Sequence, residues 1–154
     1  RQRQQASFRA HIAASRETGL PLVVHTRDAE EDTLAIMRDE MDRGVYPGVI
    51  HCFTASGAFA DAAMEMGFYI SISGIVTFKS ARDLQETAAR LPREKLLIET
   101  DSPFLAPVPH RGKSCEPAYV SDTARFLANL RGESVDDLAG YTSANFNRLF
   151  ARAA

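Results

Sequence analysis

The stretch Lys95-Leu96-Leu97-Ile98-Glu99-Thr100-Asp101 contains a continuous apolar run that leads directly into two carboxylates. Such a short apolar run is typical of a strand that is buried on both faces in a parallel sheet. Three earlier stretches have the same character, namely Leu20–Val24, Gly48–Phe53 and Phe68–Ser73. The strand starts near Leu22, Val49, Phe68 and Leu96 lie 27, 19 and 28 residues apart. This spacing leaves room for a crossover helix between parallel strands.

Helical segments alternate with these strands. Their apolar residues recur at helical spacing, and a glycine or a proline stops three of them, at Gly19, Gly67 and Pro92. Ser134 is the expected N-cap of the last helix. The predicted helices are Arg3–Thr18, Asp28–Met41, Ala58–Met66, Ala81–Leu91, Tyr119–Leu130 and Val135–Phe150. The alternation predicts an α/β fold with four parallel βα units and C-terminal helices.

Composition excludes several classes of protein. The 154 residues, 45% of them hydrophobic and 25% charged, suit one globular domain over residues 1–154. A net charge of -2 argues against a broad basic face for nucleic acid. No apolar stretch approaches the roughly 20 residues that span a bilayer, and no leader opens the chain, so we expect a cytoplasmic protein. Cys52 and Cys115 are expected to be reduced thiols.

Three polar residues follow three of the predicted strands at the same relative position: His25, His51 and Asp101. The carboxyl ends of parallel strands meet at one edge, where α/β folds carry their sites. Two imidazoles and a carboxylate are suitable ligands for Zn²⁺ or another divalent ion. Each also has a structural explanation, because a strand-end His is often hydrogen-bonded and Asp101 can start the following turn. The pattern leaves both interpretations open.

Further residues near this edge are candidates for supporting roles. Glu99 is expected to share a face with Asp101 and to orient a metal ligand, although it can also be a solvated carboxylate. Lys79 and Arg111 are candidates for binding an anionic substrate, with solvated surface charges as the alternative. Cys52 is expected to point away from His51 as a buried core thiol. A proline-rich loop, Ser102–Pro117, carries Arg111.

Several motifs resemble the TatD-type metal-dependent deoxyribonucleases. The specific one is Glu99-Thr100-Asp101-Ser102-Pro103-Phe104-Leu105-Ala106-Pro107. The others are Leu22–Ala29, Gly48–Thr54, Arg111-Gly112-Lys113, Glu116–Val120 and Asn145–Phe150. The resemblance implies the C-terminal half of a TIM (β/α)8 barrel of the amidohydrolase superfamily that hydrolyses DNA phosphodiester bonds. It also implies His25, His51 and Asp101 as ligands of a divalent metal, Mg, Zn or Mn, with Asp101 as the catalytic base.

The family's remaining ligands, a His-x-His and a Glu on earlier strands, have no counterpart in the 154 residues. A complete barrel of this kind needs about 250 residues, so we expect a C-terminal part of such a barrel. A non-catalytic half-barrel that serves as an interaction module and a metal-dependent amidohydrolase acting on C-N bonds are the alternative functions. We expect the strand residues around Val24, Ile50, Ile72 and Ile98 to lack an opposite wall, and the chain therefore to self-associate.

Overall fold

The computed structural model describes residues 1–153 and contains a four-stranded parallel sheet with strand order β1-β2-β3-β4. The strands are β1 (Leu22–Val24), β2 (Gly48–Ile50), β3 (Tyr69–Ile72) and β4 (Leu96–Ile98). The helices are α1 (Gln2–Thr18), α2 (Glu30–Met41), α3 (Gly57–Glu65), α4 (Arg82–Arg90), α5 (Val120–Arg131) and α6 (Val135–Leu149). Short 3₁₀ turns occur at Gly74–Thr77, Arg93–Lys95 and Pro117–Tyr119. The predicted α/β half-barrel is confirmed.

Helix ends follow the local sequence. Gly19 and Gly132 end α1 and α5 in the left-handed conformation, which a glycine adopts without steric cost. The side chain of Ser134 caps α6 by accepting a hydrogen bond from the Asp137 backbone N–H. None of the helices in residues 1–153 combines the length and the apolar character needed to cross a bilayer.

The strand register decides which side chains face the helices. Val24 pairs with Ile50, and Ile72 pairs with Ile98, on the face of the sheet that packs into the main core. The expectation that these residues lack an opposite wall is therefore wrong. Their neighbours point to the other side of the sheet, which we call the open face; its residues are Val23, Val49, Ser71 and Leu97. A shift of one residue exchanges the two faces, and continuously apolar strands do not reveal which set faces the helices.

The open face is only partly covered. Leu149 and Phe150, at the end of α6, pack against Val49 and Leu97. Val23 on β1 is 57% exposed, so β1 is not buried on both faces as its composition predicts. Asn145 covers part of the β4 edge of the sheet, because its side-chain amide donates to the Leu96 carbonyl oxygen at 2.8 Å.

A buried carboxylate joins α1 to α2. The Glu40 side chain is only 3% exposed, and its oxygens pair with Arg9 at 2.8 Å, Arg16 at 3.0 Å and Arg43 at 3.2 Å. Hydrogen bonds from Arg9 and Arg16 hold the pKa of Glu40 below its ordinary value. The carboxylate therefore stabilises the folded state while it is ionised.

Glu40→Gln is expected to lower the free energy of unfolding at pH 7 by about 2 kcal/mol, because charge-assisted hydrogen bonds are lost. Since the pKa is lower in the folded state, the contribution is present above the ordinary value of 4.5 and lost as the pH falls through the folded value. Urea unfolding at pH 7 and pH 3 should show the difference shrinking in acid. Glu86→Gln, at an exposed site on α4, is the control and should change little. An equal difference at both pH values would contradict this role.

Candidate metal centre

The three strand-end residues lie at the carboxyl edge of the sheet. His25 follows β1, His51 follows β2, and Asp101 lies beyond β4. His51 Nε2 is 3.4 Å from Asp101 Oδ1, and the rings of His25 and His51 lie with their centroids 5.9 Å apart. His51 and Asp101 are half-buried, whereas His25 is exposed. Parallel strands thus place two potential ligands in contact and the third beside them.

These side chains do not form a closed set of ligands. Within residues 1–153, no group of three or more His, Cys, Asp or Glu side chains is gathered closely enough to hold a metal ion. The donor chemistry nevertheless suits a divalent ion, because imidazole nitrogen and carboxylate oxygen are ligands of Zn²⁺ and Mn²⁺. The His51 and Asp101 pair fits such an ion as part of a site.

Glu99 lies directly behind His51. Its Oε1 is 2.8 Å from His51 Nδ1 and accepts a hydrogen bond from the Cys52 backbone N–H at 2.7 Å. Its Oε2 accepts from the Ser71 hydroxyl at 2.7 Å. Three contacts of this length distinguish Glu99 from a solvated carboxylate. With its proton on Nδ1, the His51 ring donates to Glu99 and keeps the Nε2 lone pair on the side of Asp101.

Cys52 is separate from this group. Its side chain is buried, and Sγ lies 3.3 Å from the Ser73 hydroxyl oxygen. Burial raises the pKa of the Cys52 thiol, so the sulfur stays protonated and is a poor ligand. Both cysteines are free thiols, in agreement with the prediction from sequence.

The loop from Ser102 to Pro117 is pinned to the segment that follows β3. The Val108 N–H donates to the Thr77 hydroxyl at 2.9 Å. A Cβ on Gly74 would lie 2.4 Å from the Leu105 carbonyl oxygen, so only glycine permits the two backbones to approach this closely. The loop therefore has a defined position at the same edge of the sheet as Asp101.

The two candidate substrate-binding side chains, Lys79 and Arg111, lie in the two segments that this backbone contact joins. The Arg111 guanidinium lies over the Phe78 ring, 4.4 Å from its centroid, and Lys79 follows Phe78 in the chain and is exposed. Stacking on an aromatic ring orients a guanidinium and leaves its edge free to donate. Sequence reasoning missed Phe78 and Ser71, because neither stands at a strand end and an isolated aromatic or serine carries no signal of its own.

Comparison with known proteins gives three relevant similarities. A model of the TatD related DNase family matches residues 1–151. The uncharacterized metal-dependent hydrolase YcfH of Escherichia coli K12 is 53% identical over 150 residues, which cover 96% of this chain and 56% of that protein. The 3'-5' ssDNA/RNA exonuclease TatD of Klebsiella pneumoniae is 34% identical over 155 residues, covering 97% of this chain and 58% of that protein.

A solved structure gives the same result. The TatD homologue YjjV of Escherichia coli K12 superposes with a TM-score of 0.88 at 26% identity, over 97% of this chain and 57% of that one. The chain thus spans somewhat more than half the length of the relatives that it matches. Because the family match covers nearly every residue, the chain belongs to the TatD related DNase family.

Proposed function

We propose that this chain carries part of the active site of a metal-dependent hydrolase that cleaves phosphodiester bonds of DNA. The observation that carries the proposal is the contact of His51 with Asp101 at the carboxyl edge of the sheet, with Glu99 bound to the opposite nitrogen of the ring. Membership of the family and relatives named as metal-dependent hydrolases support it, and one relative is named as an exonuclease.

In this proposal His51 and Asp101, with His25 beside them, would contribute ligands to a site for a divalent ion, Mg, Zn or Mn. Such an ion supplies Lewis-acid chemistry, because it polarises a phosphoryl oxygen and acidifies water. Glu99 orients His51 through Nδ1. Asp101 accepts the proton that a water molecule loses as its oxygen bonds to phosphorus. The phosphorus–oxygen bond to the leaving nucleotide breaks, and the leaving oxygen takes up a proton from solvent.

The proposal is tested with single-stranded DNA labelled at its 3′ or 5′ end and incubated with the chain and Mg²⁺, Mn²⁺ or Zn²⁺. Because the chain carries part of the active site, we expect cleavage with at least one of these metals when the chain stands within a complete barrel of the family, little cleavage by the chain alone, and none after chelation with EDTA. The two labels distinguish cleavage from either end from internal cleavage. Absence of cleavage by the complete barrel with all three metals would support the non-catalytic interaction module instead. Cleavage of a cyclic amide but not of DNA would support hydrolysis of C-N bonds.

Arg111→Ala is expected to raise the KM for DNA about tenfold with little change in kcat, because a charge-assisted contact to phosphate away from the reacting atoms is lost. The slope of log KM against log salt concentration should decrease by about one. Arg38→Ala is the matched control, since Arg38 is exposed in α2 near the end that lies far from the carboxyl edge. Equal effects of the two variants would remove Arg111 from the substrate site. Lys79→Ala is expected to act in the same direction as Arg111→Ala.

We also propose that a second copy of the chain covers the open face. An open cavity of about 540 Å³ lies over this face, and Val23 and Phe146 at its rim are exposed apolar side chains. Light scattering at several concentrations should show a dimer, and Val23→Lys should shift it toward the monomer. Val45→Lys is the control, because Val45 is 84% exposed in the loop before β2 and lies off this face. A monomer at high micromolar concentration would contradict the proposal.

A further inference from the structure

The regular hydrogen-bond pattern that follows β2 is interrupted at Cys52. The backbone N–H of His51 donates to the Val24 carbonyl oxygen of β1 at 2.9 Å, whereas the backbone N–H of Phe53 donates to the Ser71 carbonyl oxygen of β3 at 3.0 Å. In an uninterrupted strand, residues two apart donate to the same neighbour. Cys52 is therefore an extra residue between the two ladders, and its φ of 46° lies in the left-handed region that favours glycine. The N–H of Cys52 is thereby free to donate to Glu99.

Ser71 supplies the second donor to this carboxylate. It lies on β3 in register with Leu97 of β4, and Glu99 comes two residues after Leu97 on the same face. The Ser71 hydroxyl donates to Glu99 Oε2 at 2.7 Å, and the residue is only 3% exposed. Because Ser71 is buried, bulk water has little access to replace its hydroxyl if it is removed.

The two donors engage different oxygens. The Cys52 N–H binds Oε1, the same oxygen that contacts His51 Nδ1, while the Ser71 hydroxyl binds Oε2. With both oxygens bound, the Glu99 carboxylate is held in one orientation against the imidazole ring. Loss of the Oε2 contact leaves the terminal torsion of Glu99 free to rotate, because that torsion is intrinsically broad.

We propose that the Ser71 hydroxyl and the Cys52 N–H form a clamp that fixes Glu99 and, through it, the tautomer of His51. Ser71 is thus a positioning residue for a metal ligand, and this role rests on the function proposed above for the same site. The clamp acts before any metal binds, because every contact in it is made by the chain itself. It can therefore be tested separately from the metal centre.

The test compares Ser71→Ala with Ser71→Thr, which keeps the hydroxyl. Ser73→Ala is the matched control, because Ser73 is just beyond the same strand, is fully buried and contacts the Cys52 sulfur rather than Glu99. The first measurement is the ¹⁵N spectrum of the His51 ring in the metal-free chain, at a pH where the imidazole is neutral. The second is the affinity for Zn²⁺, measured by calorimetry.

We expect a single Nδ1–H tautomer in the unmodified chain, in Ser71→Thr and in Ser73→Ala, but a mixture of tautomers in Ser71→Ala. Affinity for Zn²⁺ should fall about tenfold in Ser71→Ala only, as is typical when the partner of a metal-ligating His is disturbed. If Ser71→Ala does not fold, Ser71→Cys replaces it, since a thiol of similar size is a weak donor. Ser71→Ala spectra that match those of Ser73→Ala would overturn the clamp. An unmodified chain that binds no Zn²⁺ would contradict the proposed metal centre. The ¹⁵N spectra of the His51 ring would still test the clamp, because they are recorded without metal.

Discussion

Asp101→Asn is expected to lower the rate of DNA hydrolysis by about three orders of magnitude, in any preparation of the chain that cleaves DNA. The substitution keeps the shape of the side chain but removes a negative charge next to His51, where Asp101 Oδ1 lies 3.4 Å from Nε2. It also removes the proposed acceptor for the proton of water, and general-base catalysis alone contributes about 10²–10⁴-fold. A ligand and a base are therefore lost together.

Three measurements separate these effects. Single-turnover rates at saturating metal report the chemical step, calorimetry reports the affinity for metal, and thermal unfolding of the metal-free chain reports the fold. We expect the melting temperature to change little, because Asp101 is partly exposed and lies outside the core. Asp83→Asn, in the first turn of α4, is the control for loss of a carboxylate elsewhere. A rate within a factor of a few of the unmodified chain would exclude Asp101 from the mechanism.

Gly74→Ala is expected to lower the free energy of unfolding by about 3 kcal/mol, at the upper end of what overpacking costs. A Cβ at this position would lie 2.4 Å from the Leu105 carbonyl oxygen and 2.9 Å from the Pro107 nitrogen. Both are backbone atoms of the loop, so no side-chain rotation relieves the overlap. The loop has to move away from β3, and the stacking of Arg111 on Phe78 is weakened with it.

Urea unfolding and the KM for DNA measure the two consequences. Gly140→Ala is the control, because Gly140 lies in α6 and an added Cβ would meet no atom within 4 Å other than those of its own helix backbone and its chain neighbours. It should leave the KM unchanged and stabilise the chain by up to about 1 kcal/mol, since alanine is the better helix former. If Gly74→Ala were as stable as the unmodified chain, the loop would not be pinned at this contact.

The order of strands and helices, and the edge of the sheet on which the candidate site lies, could be predicted from the sequence. Strands and helices were predicted within a few residues of their observed bounds, because apolar runs and helical periodicity are local signals. Ser134 and Gly19 were recognised as helix ends for the same reason. The position of His51 and Asp101 at one edge follows from parallel strands alone, and the structure places them in contact. The metal and the roles of these residues remain predictions.

Which face of each strand meets the helices could not be predicted from the sequence and follows from the packed structure. The prediction for Val24 and its equivalents was wrong because side chains alternate with a period of two, and register depends on pairing between distant strands. The extra residue at Cys52 depends on how the segment after β2 pairs with β1 and β3. The hydrogen bond from Ser71 to Glu99 depends in the same way on the pairing of β3 with β4. The stacking of Arg111 on Phe78 joins two loops that are far apart in sequence. Contacts of this kind follow from how elements pack in space, and a single sequence carries no local pattern that reveals them.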